Sequence, residues 1–128
     1  MCENAQCRFQ LTENTPMNAR VDPSWIRQCL FNLLSNAIKH SPRSGCISIR
    51  SVQEGSVWRC AITDEGPGVR HEDLLRIFER FTKLNESSDG AGLGLSVCQS
   101  IIERHGGRIW AERGARERGL MVIFELPI

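Results

Sequence analysis

The chain has 128 residues, 41% of them hydrophobic, and a formal net charge of +1. That length and apolar content suit one packed domain, and they exclude a disordered chain. Basic and acidic residues interleave along the sequence, so the basic stripe that a nucleic-acid partner would need is missing. No apolar run approaches the ~20 residues needed to cross a bilayer. The first residues show neither the basic start nor the apolar stretch of a secretory signal. The six cysteines are Cys2, Cys7, Cys29, Cys46, Cys60 and Cys98. They form no Cys-x-x-Cys pair and stand at no zinc-ligand spacing from a histidine. Reduced thiols packed as small hydrophobes are expected, which points to a cytoplasmic location.

In chain order, Arg8 to Thr12 and Ala19 to Val21 read as short extended pieces around a polar turn at Pro16. Asp22 as N-cap and Pro23 at the first helical position open a helix. Ile26, Leu30, Leu33, Leu34, Ala37 and Ile38 recur along it at helical spacing until Pro42. Cys46 to Gln53 and Ser56 to Thr63 alternate as strands, joined by the hairpin signal Glu54-Gly55. A Gly-Pro-Gly loop precedes a short helix expected from about His71 to Phe78. Lys83 to Gly94 is polar and glycine-rich without apolar period, which predicts a loop. A second long helix is predicted over Leu93 to His105 on Leu95, Cys98, Ile101 and Ile102, stopped by Gly106-Gly107. Arg108 to Glu112 and Gly119 to Leu126 close the chain as strands, with Leu120, Val122, Phe124 and Leu126 on one face. Between these strands, Glu112 to Arg118 alternates in charge and reads as a solvated turn. Helices packed on one face of a mixed, mostly antiparallel sheet give an α+β, two-layer sandwich over residues 1–128 as a single domain.

Three segments carry residue types suited to chemistry. On the first long helix, at about 100° per residue, Asn32, Asn36 and Lys39 share an arc of roughly 60°, nearly opposite the apolar set. A carboxamide oxygen suits Mg²⁺ and an ammonium suits phosphate, although such a face also suits plain solvation. Asp64-Glu65-Gly66-Pro67-Gly68-Val69 follows a strand directly. Gly66 and Gly68 permit a close approach to the backbone. A carboxylate at the end of an apolar strand calls for hydrogen-bond donors, or else simply caps a turn. Gly90-Ala91-Gly92-Leu93-Gly94-Leu95 opens the second long helix, where N–H groups can meet phosphate. It matches neither a P-loop nor a dinucleotide fingerprint, and alone it also suits a flexible linker.

Taken in order, these segments resemble the boxes of histidine kinases. Asn-Leu-Leu-Ser-Asn-Ala-Ile-Lys-His-Ser-Pro (Asn32 to Pro42) is similar to their N box, and Asp64 to Val69 to their first glycine box. Ile77-Phe78-Glu79-Arg80-Phe81 resembles the F box, and Gly90 to Leu95 the second glycine box. His105-Gly106-Gly107-Arg108-Ile109-Trp110 and Phe124-Glu125-Leu126-Pro127 are similar to the family's C-terminal part. The resemblance runs from about Val21 onward and implies the Bergerat ATP-binding sandwich, with ATP and Mg²⁺ as ligands. By that resemblance Asp64 accepts the adenine amino hydrogen, while Gly66 and Gly68 shape the adenine pocket. Asn36 ligates Mg²⁺ with Asn32 beside it, and Lys39 and Lys83 contact phosphate. Gly90, Gly92 and Gly94 hinge a lid over residues 83–94, Leu95 follows it, and Phe78 and Phe81 pack at its base. Residues 1–20 form an N-terminal strand region.

The chain departs from the family pattern at Glu65, where Asn is usual, and at Val69, where Ile is usual. Ala91 replaces a Thr, and Lys83 an Arg, which turns a bidentate phosphate contact into a point charge. None of the three histidines is placed as a phosphoacceptor. His71 starts a His-Glu pair, but on a single short helix, and His40 and His105 read as helix-end residues. The histidine-bearing dimerisation hairpin, the sensor and any membrane span are therefore expected elsewhere in a longer parent, with a response regulator downstream. A hydrolase of the same superfamily would place a Glu where Asn32 stands, to act as general base on water. A serine-kinase or anti-sigma switch, and a purely nucleotide-sensing module, are weaker rivals, given the F box and the intact Asn32, Asn36 and Lys39.

Overall fold

The computed structural model describes residues 8–14, 21–40, 45–68, 70–74, 76–78, 93–114 and 119–128. The order is β1 (Arg8–Asn14), α1 (Pro23–His40), β2 (Cys46–Glu54), β3 (Val57–Thr63), two 3₁₀ turns (His71–Asp73 and Arg76–Phe78), α2 (Leu93–Arg104), β4 (Arg108–Arg113) and β5 (Leu120–Pro127). The strands form one sheet in the order β1-β2-β3-β5-β4. β1 runs parallel to β2, with an irregularity between Leu11 and Glu13. The other three pairings are antiparallel. The expected mixed, mostly antiparallel sheet is found.

Helix ends follow the local chemistry read from the residues. Asp22 caps α1: its Oδ1 accepts the Ser24 N–H at 3.0 Å, and its carbonyl accepts the Ile26 N–H at 3.0 Å. α2 ends in a Schellman arrangement. The Gly106 N–H donates to Glu103 O and the Gly107 N–H to Ile102 O, both at 3.0 Å, with Gly106 at φ 81°. His105 adds a clamp between the helices. Its Nδ1 donates to Ile101 O at 2.8 Å, and its Nε2 accepts the Asp22 N–H at 3.1 Å. Those two roles describe a neutral imidazole that pins the end of α2 to the start of α1.

Both helices pack on one face of the sheet. Ile26, Cys29, Leu33 and Ala37 of α1 and Cys98, Ile101 and Ile102 of α2 meet Ile47, Cys60, Ile62, Ile109, Leu120, Val122, Phe124 and Leu126 from the strands. The predicted face of β5 is therefore the core face. Trp58 meets Phe124 edge-on, with ring centroids 5.3 Å apart. The thiols of Cys29, Cys60 and Cys98 are buried and unbridged. Burial pushes the Cys60 thiol up to about 12, as suits an inert core residue. Among the described residues, no helix is long and apolar enough to cross a membrane.

Two expectations need correction. The single helix over His71 to Phe78 is two 3₁₀ turns. A segment this short gains little from α-helix propagation, and 3₁₀ winding suits such short pieces, here with Leu74 just after the first turn and Ile77 within the second. Both of those side chains pack on the core. The second correction concerns the rotation of α1. Its buried stripe is Ile26, Cys29, Leu33 and Ala37, whereas Leu30, Leu34 and Ile38 are only partly buried. That stripe lies roughly 100° from the Asn32–Asn36–Lys39 arc, so the arc flanks the core instead of opposing it.

The other face of the sheet carries an ion-pair row. Glu125 accepts from Arg59 Nε at 2.7 Å and Arg108 Nε at 2.9 Å, and Arg59 also contacts Glu54. The Arg108 guanidinium lies 4.6 Å from the Trp110 ring centroid. Hydrogen bonds from Arg59 and Arg108 hold the Glu125 carboxyl below its usual range.

Candidate nucleotide site

β3 ends at Thr63, and the next residue, Asp64, is only 4% exposed. Its Oδ1 accepts the Gly66 N–H at 2.8 Å and the Leu120 N–H at 3.2 Å. Its own N–H donates to Leu120 O at 3.1 Å. Those donors come from both sides of the residue, one from the loop and one from the start of β5. Burial pushes the Asp64 carboxyl above its ordinary range, while the Gly66 and Leu120 N–H groups pull the other way. Oδ2 accepts no hydrogen bond from a described residue. A buried carboxylate with one oxygen held by the backbone and one uncommitted among the described residues has acceptor capacity that a ligand donor could fill.

The glycines of this loop are needed for close approach. A Cβ on Gly66 would stand 2.1 Å from the carbonyl oxygen of His40, the last residue of α1. Gly68 has φ 73°, and a Cβ there would stand 2.7 Å from Gly119 O. The loop is thus pressed between the C-terminus of α1 and the start of β5. This brings the first two motifs together, because Asn36 lies one helical turn before His40, whose Nδ1 donates to Asn36 O at 2.8 Å.

Along α1 the polar arc is half-buried at Asn32 and Asn36 and exposed at Lys39. The Asn32 carboxamide oxygen accepts from Gln28 Nε2 at 2.9 Å, and its side chain also meets the Cys98 thiol of α2. The Asn36 carboxamide makes no hydrogen bond among the described residues. That uncommitted amide oxygen at the edge of the core fits a Mg²⁺ ligand.

Phe78 is a core residue, 7% exposed. Gly94 lies in the first turn of α2, and Leu95 is partly buried against the core. Lys83, Phe81, Gly90 and Gly92 lie outside the described residues. Two contributions were not legible in the sequence. Glu65, at a departure from the family pattern, accepts the Cys46 N–H at 2.9 Å and so ties the loop to β2. Leu120 supplies a main-chain donor to Asp64 beside Gly119, a glycine with φ 74° just before an alternating strand. The only sequence signal for either was that glycine.

Comparison with known proteins identifies the family and the fold. Residues 21–128 match the family described as histidine kinase-, DNA gyrase B-, and HSP90-like ATPase. The adaptive-response sensory kinase SasA of Synechococcus sp. (strain CC9311) is 43% identical over 111 residues, covering 84% of this chain and 29% of SasA. The chain thus spans under a third of the length of the curated relatives it matches first. The mycobacterial sensor histidine kinase MprB superposes with a TM-score of 0.88 at 29% identity, covering 98% of this chain and 85% of that one. The catalytic domain of histidine kinase ThkA does so at 0.84 and 33% identity, covering 98% and 82%. A further ThkA structure, in complex with response regulator protein TrrA, matches at 0.78 and 35% identity, covering 98% and 35%. The chain belongs to the histidine kinase-, DNA gyrase B-, and HSP90-like ATPase family, and within it to the ATP-binding catalytic domains of sensor histidine kinases.

Proposed function

We propose that this domain binds Mg-ATP and donates its γ-phosphoryl group to a histidine on a separate dimerisation hairpin of a two-component sensor kinase. The observation that carries the reading is the buried Asp64, one oxygen of which is held by the Gly66 N–H in a loop pressed against the C-terminus of the helix bearing Asn36. Asp64 accepts the adenine amino hydrogen, and Gly66 and Gly68 form the floor of the base pocket. Asn36 holds Mg²⁺ with Asn32 beside it, and Lys39 and Lys83 meet phosphate as point charges. Residues 83–94 form the lid, hinged at Gly90, Gly92 and Gly94, with Phe78 and Phe81 at its base and Leu95 among the ATP-binding residues. The metal, when bound, neutralises charge on the phosphates and orients them.

Asn32 decides between transfer and hydrolysis. A carboxamide cannot take a proton from water, so this residue supports positioning and phosphoryl transfer over general-base hydrolysis. The acceptor lies on another part of a longer parent, because no histidine of this chain is placed for the role. His40 and His105 each donate through Nδ1 to the carbonyl one turn back. A response regulator then takes the phosphoryl group downstream, in keeping with the ThkA pairing. The test is incubation with γ-labelled ATP and Mg²⁺, with and without the parent's histidine-bearing hairpin. Acid-labile, base-stable label on the hairpin alone is the expected result. Label on this chain by itself would contradict the reading.

A further inference from the structure

One of the two donors that hold the Asp64 side chain comes from the turn that leads into β5. Gly119 has φ 74°, and a Cβ on it would stand 2.0 Å from Asp64 O and 3.2 Å from Asp64 Oδ1. No side chain fits there without moving Asp64. Gly119 O accepts the Gly114 N–H at 3.2 Å and faces Gly68 closely enough that a Cβ on Gly68 would lie 2.7 Å from it. Held in this way, the turn delivers the Leu120 N–H to Oδ1 at 3.2 Å, opposite the Gly66 N–H at 2.8 Å.

We propose that the Gly119–Leu120 turn is a specificity-determining element that, together with the Gly66 N–H, holds one oxygen position of Asp64 as an acceptor and leaves the other to face the base. Two N–H donors aimed at one oxygen permit only an acceptor at that place. An ionised carboxylate satisfies them in either rotation, because its oxygens are equivalent. The constraint shows itself when the two atoms differ. In Asp64→Asn the carbonyl oxygen must occupy the place between the Gly66 and Leu120 N–H groups, because an NH₂ there would face two donors and leave both unsatisfied. The amide nitrogen is then forced outward, where it can only donate. Adenine offers a donor at this point and a 6-oxopurine offers an acceptor. The selectivity of the variant should therefore reverse instead of merely fading. A carboxamide free to rotate would serve either base and show no preference.

The inference rests on Asp64 as the reader of the purine 6-position, and the experiment separates the two claims. Mg-ATP and Mg-ITP, which differ at that position and in the N1 proton it entails, compete against a fluorescent ATP analogue on the unmodified chain, on Asp64→Asn and on Gly119→Ala. The unmodified chain should favour ATP by roughly a hundredfold. Equal affinities there would remove the base-reading role itself. In Asp64→Asn, ITP should bind about tenfold or more tighter than ATP. Equal affinities in this variant, with selectivity intact in the unmodified chain, would overturn the fixed orientation and leave the base-reading role standing. In Gly119→Ala, the ATP to ITP ratio should fall by about tenfold or more. A merely structural loss would weaken both nucleotides together, and an unchanged ratio would remove Gly119 from the device. If Gly119→Ala fails to fold, the ratio in Asp64→Asn still decides whether the orientation is fixed.

Discussion

Asp64, proposed to read the base, is 4% exposed and held by two main-chain N–H groups from separate segments. Along α1, by contrast, Asn32, Asn36 and Lys39 are half-buried or exposed, and Asn32 is positioned by another side chain, Gln28. The first arrangement cannot adjust without moving the ends of β3 and β5. The second can adjust by changing a rotamer. Base identity is a yes-or-no question about donor and acceptor, and a rigid backbone answers it well. The proposed phosphate and metal contacts along α1 are made by side chains, and transfer depends on how those are positioned. Changes at the base end should therefore alter which nucleotide binds, and changes along α1 should alter what is done with it.

The largest effect is expected on the flexible side. Asn36→Ala removes the uncommitted carboxamide and should lower label transfer to the histidine hairpin on the order of 100-fold. ATP binding measured without Mg²⁺ should change little in the same variant. Equal losses in both assays would make Asn36 a structural residue and erase the contrast. On the rigid side, Asp64→Asn should weaken ATP by about 2 kcal/mol, roughly 30-fold, because a charged acceptor is lost and a donor is turned toward a donor. Titration calorimetry on both proteins measures this directly, and matched affinities would remove Asp64 from the site.

A third prediction concerns pH. Burial raises the Asp64 carboxyl above its ordinary range, and only the ionised form is acceptor-only, with no O–H turned toward the base. ATP affinity should thus be full above that raised value and fall as pH drops through it, above the range of a free aspartate. Asp64→Asn should lack this step, which separates it from protonation of the nucleotide. An identical acid profile in both proteins would assign the step elsewhere.

The smallest effect belongs to the opposite face of the sheet. Arg59 and Arg108 hold Glu125 below its usual range, so its contribution to stability is present above the ordinary carboxylate range. It is lost as pH falls through the depressed value. Glu125→Gln should lower Tm at neutral pH, with the difference closing in acid, and should leave nucleotide selectivity alone. A Tm difference that persists at low pH would show packing, not charge, at that position.

What could be read from the residues follows the same division. Caps, strand alternation and the core face of β5 rest on local patterns, and Asp22, Gly106 and Leu120 to Leu126 behave as those patterns dictate. The site residues on α1 and Asp64 were legible as motifs. The rotation of α1 was not, because counting Leu30, Leu34 and Ile38 as core ignores which flank the sheet covers, and Cys29 is in fact fully buried. The anchoring of Asp64 was not legible either. It depends on a main-chain N–H 56 positions away, and a backbone donor leaves no side-chain signature. Only Gly119, at φ 74°, marked the place.

The most direct measurement is competition of ATP and GTP against a fluorescent ATP analogue on the unmodified chain at fixed Mg²⁺. Guanine sets a carbonyl where adenine sets its amino group, so two acceptors would face each other in a desolvated pocket. The account predicts that ATP outcompetes GTP by roughly a hundredfold or more. Comparable affinity for the two nucleotides would contradict it, and would show that Asp64 is buried for structural reasons alone.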